Sequence, residues 1–202
     1  MAEFVAAEGA SLADSFFAVA ALMVALLTGG FALQTSARLR SEETAGRLEP
    51  LLGAAVPRWR YAGSHLLVAA AGSVGLLLAA GVGLGLGYAV QTEDVTQIGR
   101  LAGAALVYTP AVWSLVGAVA LLFGLLPRAV AVSWAVLVLA AFVALLGGSV
   151  RLPDWATNLS PFQHTPRLPV DALAVAPLAV ITVIAVGLTA GGVLALRRRD
   201  IG

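Results

Sequence analysis

The chain has no cysteine and no lysine, only two histidines, and charged side chains at just 11% of its 202 residues. Without cysteine there are no disulfides and no thiolate metal sites, and redox compartment cannot be inferred. With only His65 and His164 available, histidine-rich metal chemistry is excluded as well. All twelve basic residues are arginines, scattered along the borders of apolar runs, which argues against a nucleic-acid surface. A soluble domain carries about 25% charge. With 60% hydrophobic residues and a mean hydropathy of +0.95, this composition is that of an integral membrane protein. The net charge of +1 says little as a total; its distribution along the chain carries the signal.

A spanning helix needs about 20 mostly apolar residues. Five stretches qualify: Ser15–Ala37, Ala62–Val90, Leu101–Leu126, Ala129–Val150 and Ala172–Leu196. None contains Asp, Glu or Arg, and the period-two alternation of an outer-membrane barrel is absent. The predicted fold class is therefore all-α: one polytopic helical transmembrane domain over residues 1–202, with about five spans. The first residues carry Glu3, Glu8 and Asp14, unlike the basic start of a signal peptide.

Arginine bias sets the expected orientation. Arg38, Arg40, Arg47, Arg58 and Arg60 follow the first span, Arg128 lies in the turn after the third, and Arg197, Arg198 and Arg199 end the last. Against these nine, the opposite side holds Arg100, Arg151 and Arg167 together with Glu3, Glu8, Asp14, Glu93, Asp94, Asp154 and Asp171. The expectation is a multi-pass protein of a bacterial cytoplasmic membrane, N-terminus outside and C-terminus in the cytoplasm. An outward N-terminus with no basic flank further suggests that an earlier span precedes these five.

Residues 38–61 form the one long polar segment. A charge at the bilayer centre costs at least about 2.5–3.5 kcal/mol on insertion scales, so this segment belongs in water, on the membrane face or on a partner. Leu48, Leu51, Leu52, Ala55 and Val56 recur at helical spacing as an apolar stripe, and Glu42, Glu43, Arg47 and Glu49 populate the rest. Ser41 is placed to cap a helix start, with the two glutamates in its first turn. Pro50 either kinks that helix or opens a second one, and Pro57 ends the element. Trp59 and Tyr61 then mark re-entry at the aromatic belt. An amphipathic helix of this kind lies on anionic lipid or docks into a cytoplasmic partner; the three acids weigh against lipid.

Other constellations are weaker. Glu42-Glu43 with Arg47 matches the first motif of CAAX-type intramembrane proteases, but His164 is followed four residues later by Leu168, so the metal site cannot be completed. Ser73, Ser114 and Ser133 have no His or Lys beside them, and are expected to bond within their own helices. Gly81, Gly83, Gly85 and Gly87 lack the flanking strand and Lys of a phosphate loop. The pairs Gly81/Gly85, Gly83/Gly87 and Gly99/Gly103 read instead as faces for close helix packing. Residues 151–171 carry Pro153, Pro161, Pro166 and Pro169 with Trp155 and Phe162, an external loop expected to fold back onto the membrane surface.

The polar segment resembles the cytoplasmic coupling region of ABC-2 type exporter permeases, in particular the polyketide-antibiotic exporters. The resemblance rests on Arg38-Leu39-Arg40, on Glu42 through Arg47 with Gly46, on Leu48-Glu49-Pro50-Leu51-Leu52, and on Arg58-Trp59-Arg60-Tyr61. Leu159 through Pro169 and the ending Arg197 to Gly202 are similar too, whereas Ala54-Ala55-Val56-Pro57 replaces the usual Thr-Pro-Val-Ser turn. The resemblance implies a permease subunit that exports an apolar or amphipathic compound, driven by ATP hydrolysed on a separate subunit. It implies an ATPase-coupling interface made of Glu42, Glu43, Gly46, Arg47, Leu48, Glu49, Leu51, Leu52 and Arg58. It also implies an external gate loop with Trp155, Pro161, Phe162 and His164. No cofactor would bind the chain directly, ATP and Mg residing on the partner. Expected partners are the cytoplasmic ATPase, membrane lipid and a second permease half or a second copy, since the chain corresponds to the last five spans of a half-unit. A different class of function, a membrane scaffold that recruits a cytoplasmic protein, fits the same segment without transport.

Overall fold

The computed structural model describes residues 2–44, 58–126, 129, 131–146, 157–158 and 160–198. Every element among them is helical. Helix α1 (Ala2–Thr44), α2 (Arg58–Thr92), α3 (Thr96–Leu106), α4 (Thr109–Leu125), α5 (Val132–Leu146) and α6 (Val175–Arg198) are joined by turns, with a short 3-10 turn at Pro161–His164. Four stretches are long and apolar enough to cross a bilayer: Leu12–Arg38, Arg60–Thr92, Thr96–Leu125 and Val175–Arg197. The fifth expected span is described only as α5, whose 15 residues are apolar but shorter.

The first span continues much further than the polar residues suggested. Helix α1 has 43 residues and runs through Ser41, Glu42 and Glu43 to Thr44. Ser41 therefore lies inside a helix rather than at the start of one. Leu, Arg and Glu are all good helix formers, and a helix already hydrogen-bonded in the membrane extends into water at little cost. At 1.5 Å per residue α1 is about 65 Å long, twice a bilayer core.

The third span is broken where an unbroken helix was expected. Pro110 lacks the N–H that would bond back to Leu106, so α3 ends there and α4 begins at Thr109. Val107 and Tyr108 make the joint in right-handed conformation, with Val107 N–H bonded to the Gly103 carbonyl and Tyr108 N–H to that of Ala105.

Helix α4 is the centre of the bundle. It buries Ala111, Val112, Leu115, Val116, Val119, Ala120 and Phe123 against its neighbours. Its main partner is α6, and the seam is made of small residues. A methyl on Gly117 would come within 2.8 Å of the Ala185 carbonyl oxygen, and one on Gly124 within 2.5 Å of that of Gly192. Lipid is as apolar as leucine, so such seams are held by close packing rather than by the hydrophobic effect. A second seam joins α2 to α3, where Gly81 and Gly85 lie against Ala102 and Ile98. The expected face at Gly83/Gly87 is not used, nor is that at Gly99/Gly103: a methyl on any of the four meets nothing within 4 Å.

The outward faces are apolar. Leu67, Val68 and Val90 of α2, Val138 and Phe142 of α5, and Val180, Val183 and Ile184 of α6 are all exposed. Contiguous apolar surface on this scale belongs against lipid or protein, as in a multi-pass membrane protein.

Two contacts fix which helix ends lie together. Arg100 pairs with Asp14 at 2.9 Å, and the Phe17 and Tyr88 rings sit 4.7 Å apart. The start of α1, the end of α2 and the start of α3 thus share one end of the bundle. The charge sorting had placed Asp14 and Arg100 on the same side. Between α2 and α3, Glu93 adopts a left-handed conformation (φ 54°). Asp94 then accepts hydrogen bonds from the Thr96 N–H at 3.0 Å, the Thr96 hydroxyl at 2.7 Å and Gln97 Nε2 at 2.8 Å.

Candidate functional site

The expected coupling interface is only partly within the described residues. Glu42 and Glu43 lie in the last turn of α1, and Arg58 is the first residue of α2. Gly46, Arg47, Leu48, Glu49, Leu51 and Leu52 lie outside the described residues, as does Trp155 of the expected gate loop. The chain thus enters and leaves the 45–57 segment as helix, and both flanks are continuous with membrane spans.

The other expected group is found in an unexpected place. Phe162 is 3% exposed and belongs to the main hydrophobic core. Its ring stacks on Tyr108 at the joint between α3 and α4, with centroids 6.4 Å apart and planes 30° apart. A methyl on Gly29 of α1 would lie 4.0 Å from the tip of the Phe162 ring, and 3.1 and 3.2 Å from Leu115 and Leu137. Within residues 160–165 the four-residue 3-10 turn thus packs Phe162 into the core of the bundle.

Irregular backbone inside an apolar bundle needs its polar groups satisfied by protein, and the local bonding shows how. Gln163 N–H donates to the Ser160 carbonyl, Thr165 N–H to that of Phe162, and the Thr165 hydroxyl to that of Pro161 at 3.3 Å. Pro161 sits where its missing donor costs nothing. Gln163 Nε2 donates to the Val143 carbonyl of α5 at 3.0 Å. His164 stays exposed, its Nε2 3.0 Å from the Asn158 carbonyl oxygen. The Ser160 hydroxyl is buried with no hydrogen-bond partner.

Tyr108, Gly29 and Val143 were not singled out from the sequence. The Thr109-Pro110 step inside an otherwise continuous apolar run was the available signal for the joint. Gly29 had none, because its role depends on a residue 133 positions away.

The remaining chemistry is structural. Ser73 and Ser114 each donate to a carbonyl three residues back at 2.7 Å, as expected of intrahelical serines. The Tyr61 and His65 rings of α2 meet in a tilted contact, with centroids 4.8 Å apart and planes at 58°. Among the described residues no group of His, Asp and Glu is arranged to hold a metal ion.

Comparison with known proteins agrees with this architecture. The family described as "Multidrug efflux system permease Rv1217c, C-terminal domain" matches residues 1–197. The chain is 38% identical over 192 residues to the multidrug efflux system permease protein Rv1217c of Mycobacterium tuberculosis (strain ATCC 25618 / H37Rv). The match covers 95% of this chain and 35% of that protein, so the chain spans about a third of its curated relative. A polytopic helical bundle and a match over nearly every residue place the chain in one family: it belongs to the exporter permeases defined by that C-terminal domain.

Proposed function

We propose that this chain acts as a membrane-spanning permease subunit, or a part of one, in an ATP-binding-cassette exporter. It moves an apolar or amphipathic compound of the drug, antibiotic or lipid-like class, and the ATP is hydrolysed with Mg on a separate cytoplasmic subunit. The observation that carries this reading is the match of residues 1–197 to an efflux-permease domain. Spans without internal Asp, Glu or Arg suit an apolar cargo better than an ion. The resembled polyketide-antibiotic exporters are the narrower cargo class within this proposal.

The 38–61 segment faces the cytoplasm in this reading, and the N-terminus faces out. Leu48, Leu51 and Leu52 supply the buried contact with the ATPase, Glu42, Glu43, Arg47 and Glu49 set the charge match, and Gly46 and Arg58 belong to the same interface. A second permease half or a second copy completes the pathway, and Trp155, Pro161, Phe162 and His164 form the gate on the far side. With α1 helical to Thr44 and α2 helical from Arg58, motion of the segment reaches both spans directly.

The test is double charge reversal, Arg47→Glu with Glu49→Arg, scored by co-purification of the ATPase and by export. Loss of both is expected. An unchanged complex with unchanged export overturns the coupling assignment. Cargo-stimulated ATPase activity in the reconstituted complex separates a permease from a recruiting scaffold, which shows none.

A further inference from the structure

The two halves of the broken third span are clasped to different helices. We propose that the joint at Val107 and Tyr108 is a hinge: α2 and α3 move together as an arm, while α4 and α6 form the post against which it swings. This rests on the permease reading above and deepens it, by assigning which helices respond together when the 45–57 segment is moved.

Two features make α2 and α3 one piece. A methyl on Gly81 would lie 2.7 Å from the Ala102 Cα, and one on Gly85 2.5 Å from the Ile98 Cα. With main chain against main chain, no side chain lies between them to change rotamer. The turn that joins the two helices is fastened as well. Asp94 accepts from the Thr96 N–H, the Thr96 hydroxyl and Gln97 Nε2, and its own N–H donates to the Ala89 carbonyl at 3.3 Å.

The post is clasped in the same way. A methyl on Gly117 of α4 would lie 2.8 Å from the Ala185 carbonyl oxygen, and one on Gly124 2.5 Å from that of Gly192. Seven residues, two helical turns, separate these points on α4, so the two helices are held against tilting as well as sliding.

Contacts between arm and post are of another kind. The chain passes from one to the other only at Val107 and Tyr108, where Pro110 withholds the N–H that the Leu106 carbonyl would accept. Tyr108 N–H turns to the Ala105 carbonyl, three residues back. Laterally, the Trp113 side chain reaches the Ala70 carbonyl at 3.2 Å. Helix α1 meets both bodies through side chains, its Phe31 ring against Gly72 of α2 and its Gly29 against the Leu115 side chain of α4. Side chains adjust by changing rotamer, and a few residues at helix ends absorb the backbone rotation of a hinge. The arm begins at Arg58, directly after the segment that the ATPase would move.

The chain has no native cysteine, so pairs of outward-facing positions can be changed to Cys and spin-labelled. Val68→Cys with Val183→Cys spans arm and post. Val68→Cys with Gly99→Cys lies within the arm, and Leu125→Cys with Val183→Cys within the post. Distances are read by double electron–electron resonance in the complex reconstituted with its ATPase, before and after trapping with ATP and vanadate. Dilution with unlabelled protein removes signals between copies. The arm-to-post distance should shift while both internal distances keep their values. A fixed arm-to-post distance in a complex that turns over ATP overturns the hinge, as does an internal distance that shifts equally.

Pro110→Ala restores the missing N–H and should roughly halve the shift, with export falling and ATPase binding unchanged. An undiminished shift in Pro110→Ala overturns the placing of the hinge at this joint. If Pro110→Ala does not fold, the three distances with proline in place decide. Failure of the permease reading looks different: no ATPase binds and nucleotide moves none of the pairs. The distance distributions of the chain alone then decide. An arm-to-post distribution broader than both internal ones supports the hinge, and equal widths overturn it.

Discussion

Gly192 of α6 rests directly against the backbone of Ala120 in α4, and a methyl added to it would also lie 2.6 Å from the Leu121 nitrogen. The neighbours are main-chain atoms of a buried helix, so they cannot rotate away. Gly192→Ala should force α4 and α6 apart and cost about 1–3 kcal/mol, read as a lower melting temperature in detergent. Gly187, on the same helix with nothing within 4 Å, is the control. Gly187→Ala should be neutral or stabilising by up to about 1 kcal/mol, the helix-propensity difference.

Trp113 ties α4 to α2 through its Nε1–H, which donates to the Ala70 carbonyl at 3.2 Å. That carbonyl also accepts from the Ser73 hydroxyl at 2.7 Å, so it stays satisfied when the indole is lost. Trp113→Phe should therefore cost only about 0.5–1.5 kcal/mol plus a modest packing loss. A Trp113→Phe variant as unstable as Trp113→Ala would show that the hydrogen bond, rather than ring volume, holds the two helices.

The Asp14–Arg100 pair is partly exposed, at 22% and 41% of side-chain surface, and so is worth at most about 1 kcal/mol. Exchanging the charges, Asp14→Arg with Arg100→Asp, should recover most of the stability lost in either single variant. The comparison is best made at low salt, where screening is weakest.

Asp94 gives a pH dependence with a defined sign. Hydrogen bonds from the Thr96 side chain, the Gln97 side chain and the Thr96 N–H hold its carboxyl below the usual aspartate range. A depressed folded-state value means that the stabilisation is complete above the ordinary value, about 3.9, and disappears as pH falls through the folded-state value. Hydrogen exchange at the start of α3 should accelerate below about pH 4, and Asp94→Asn should remove that acceleration. Acid sensitivity that survives in Asp94→Asn would assign it to another group.

The number of apolar elements, their order and the grouping of charges at their ends were legible because a bilayer imposes one long, strict pattern. Where that pattern stops constraining, legibility fell. Glu42 and Glu43 read as the start of a new helix because they are charged, yet charge ends a span without ending a helix. Gly81 and Gly85 were found as a packing face, but so were Gly83 and Gly87, which face open space. Spacing gives the ladder; only the neighbour decides which rail is used. The α4–α6 seam escaped because Gly117 and Gly124 are seven residues apart, two turns rather than one. Phe162 was singled out as part of an external loop, whereas its burial against Tyr108 depends on the fold of three other helices.

Helix α1 passes from Gly29 to Thr44 with no break. Under the coupling proposal, a twist applied near Glu43 therefore reaches Gly29 along a single helix, beside Leu115, Leu137 and the Phe162 ring. A flexible hinge at Ser41 would have absorbed that twist; the continuous rod forwards it.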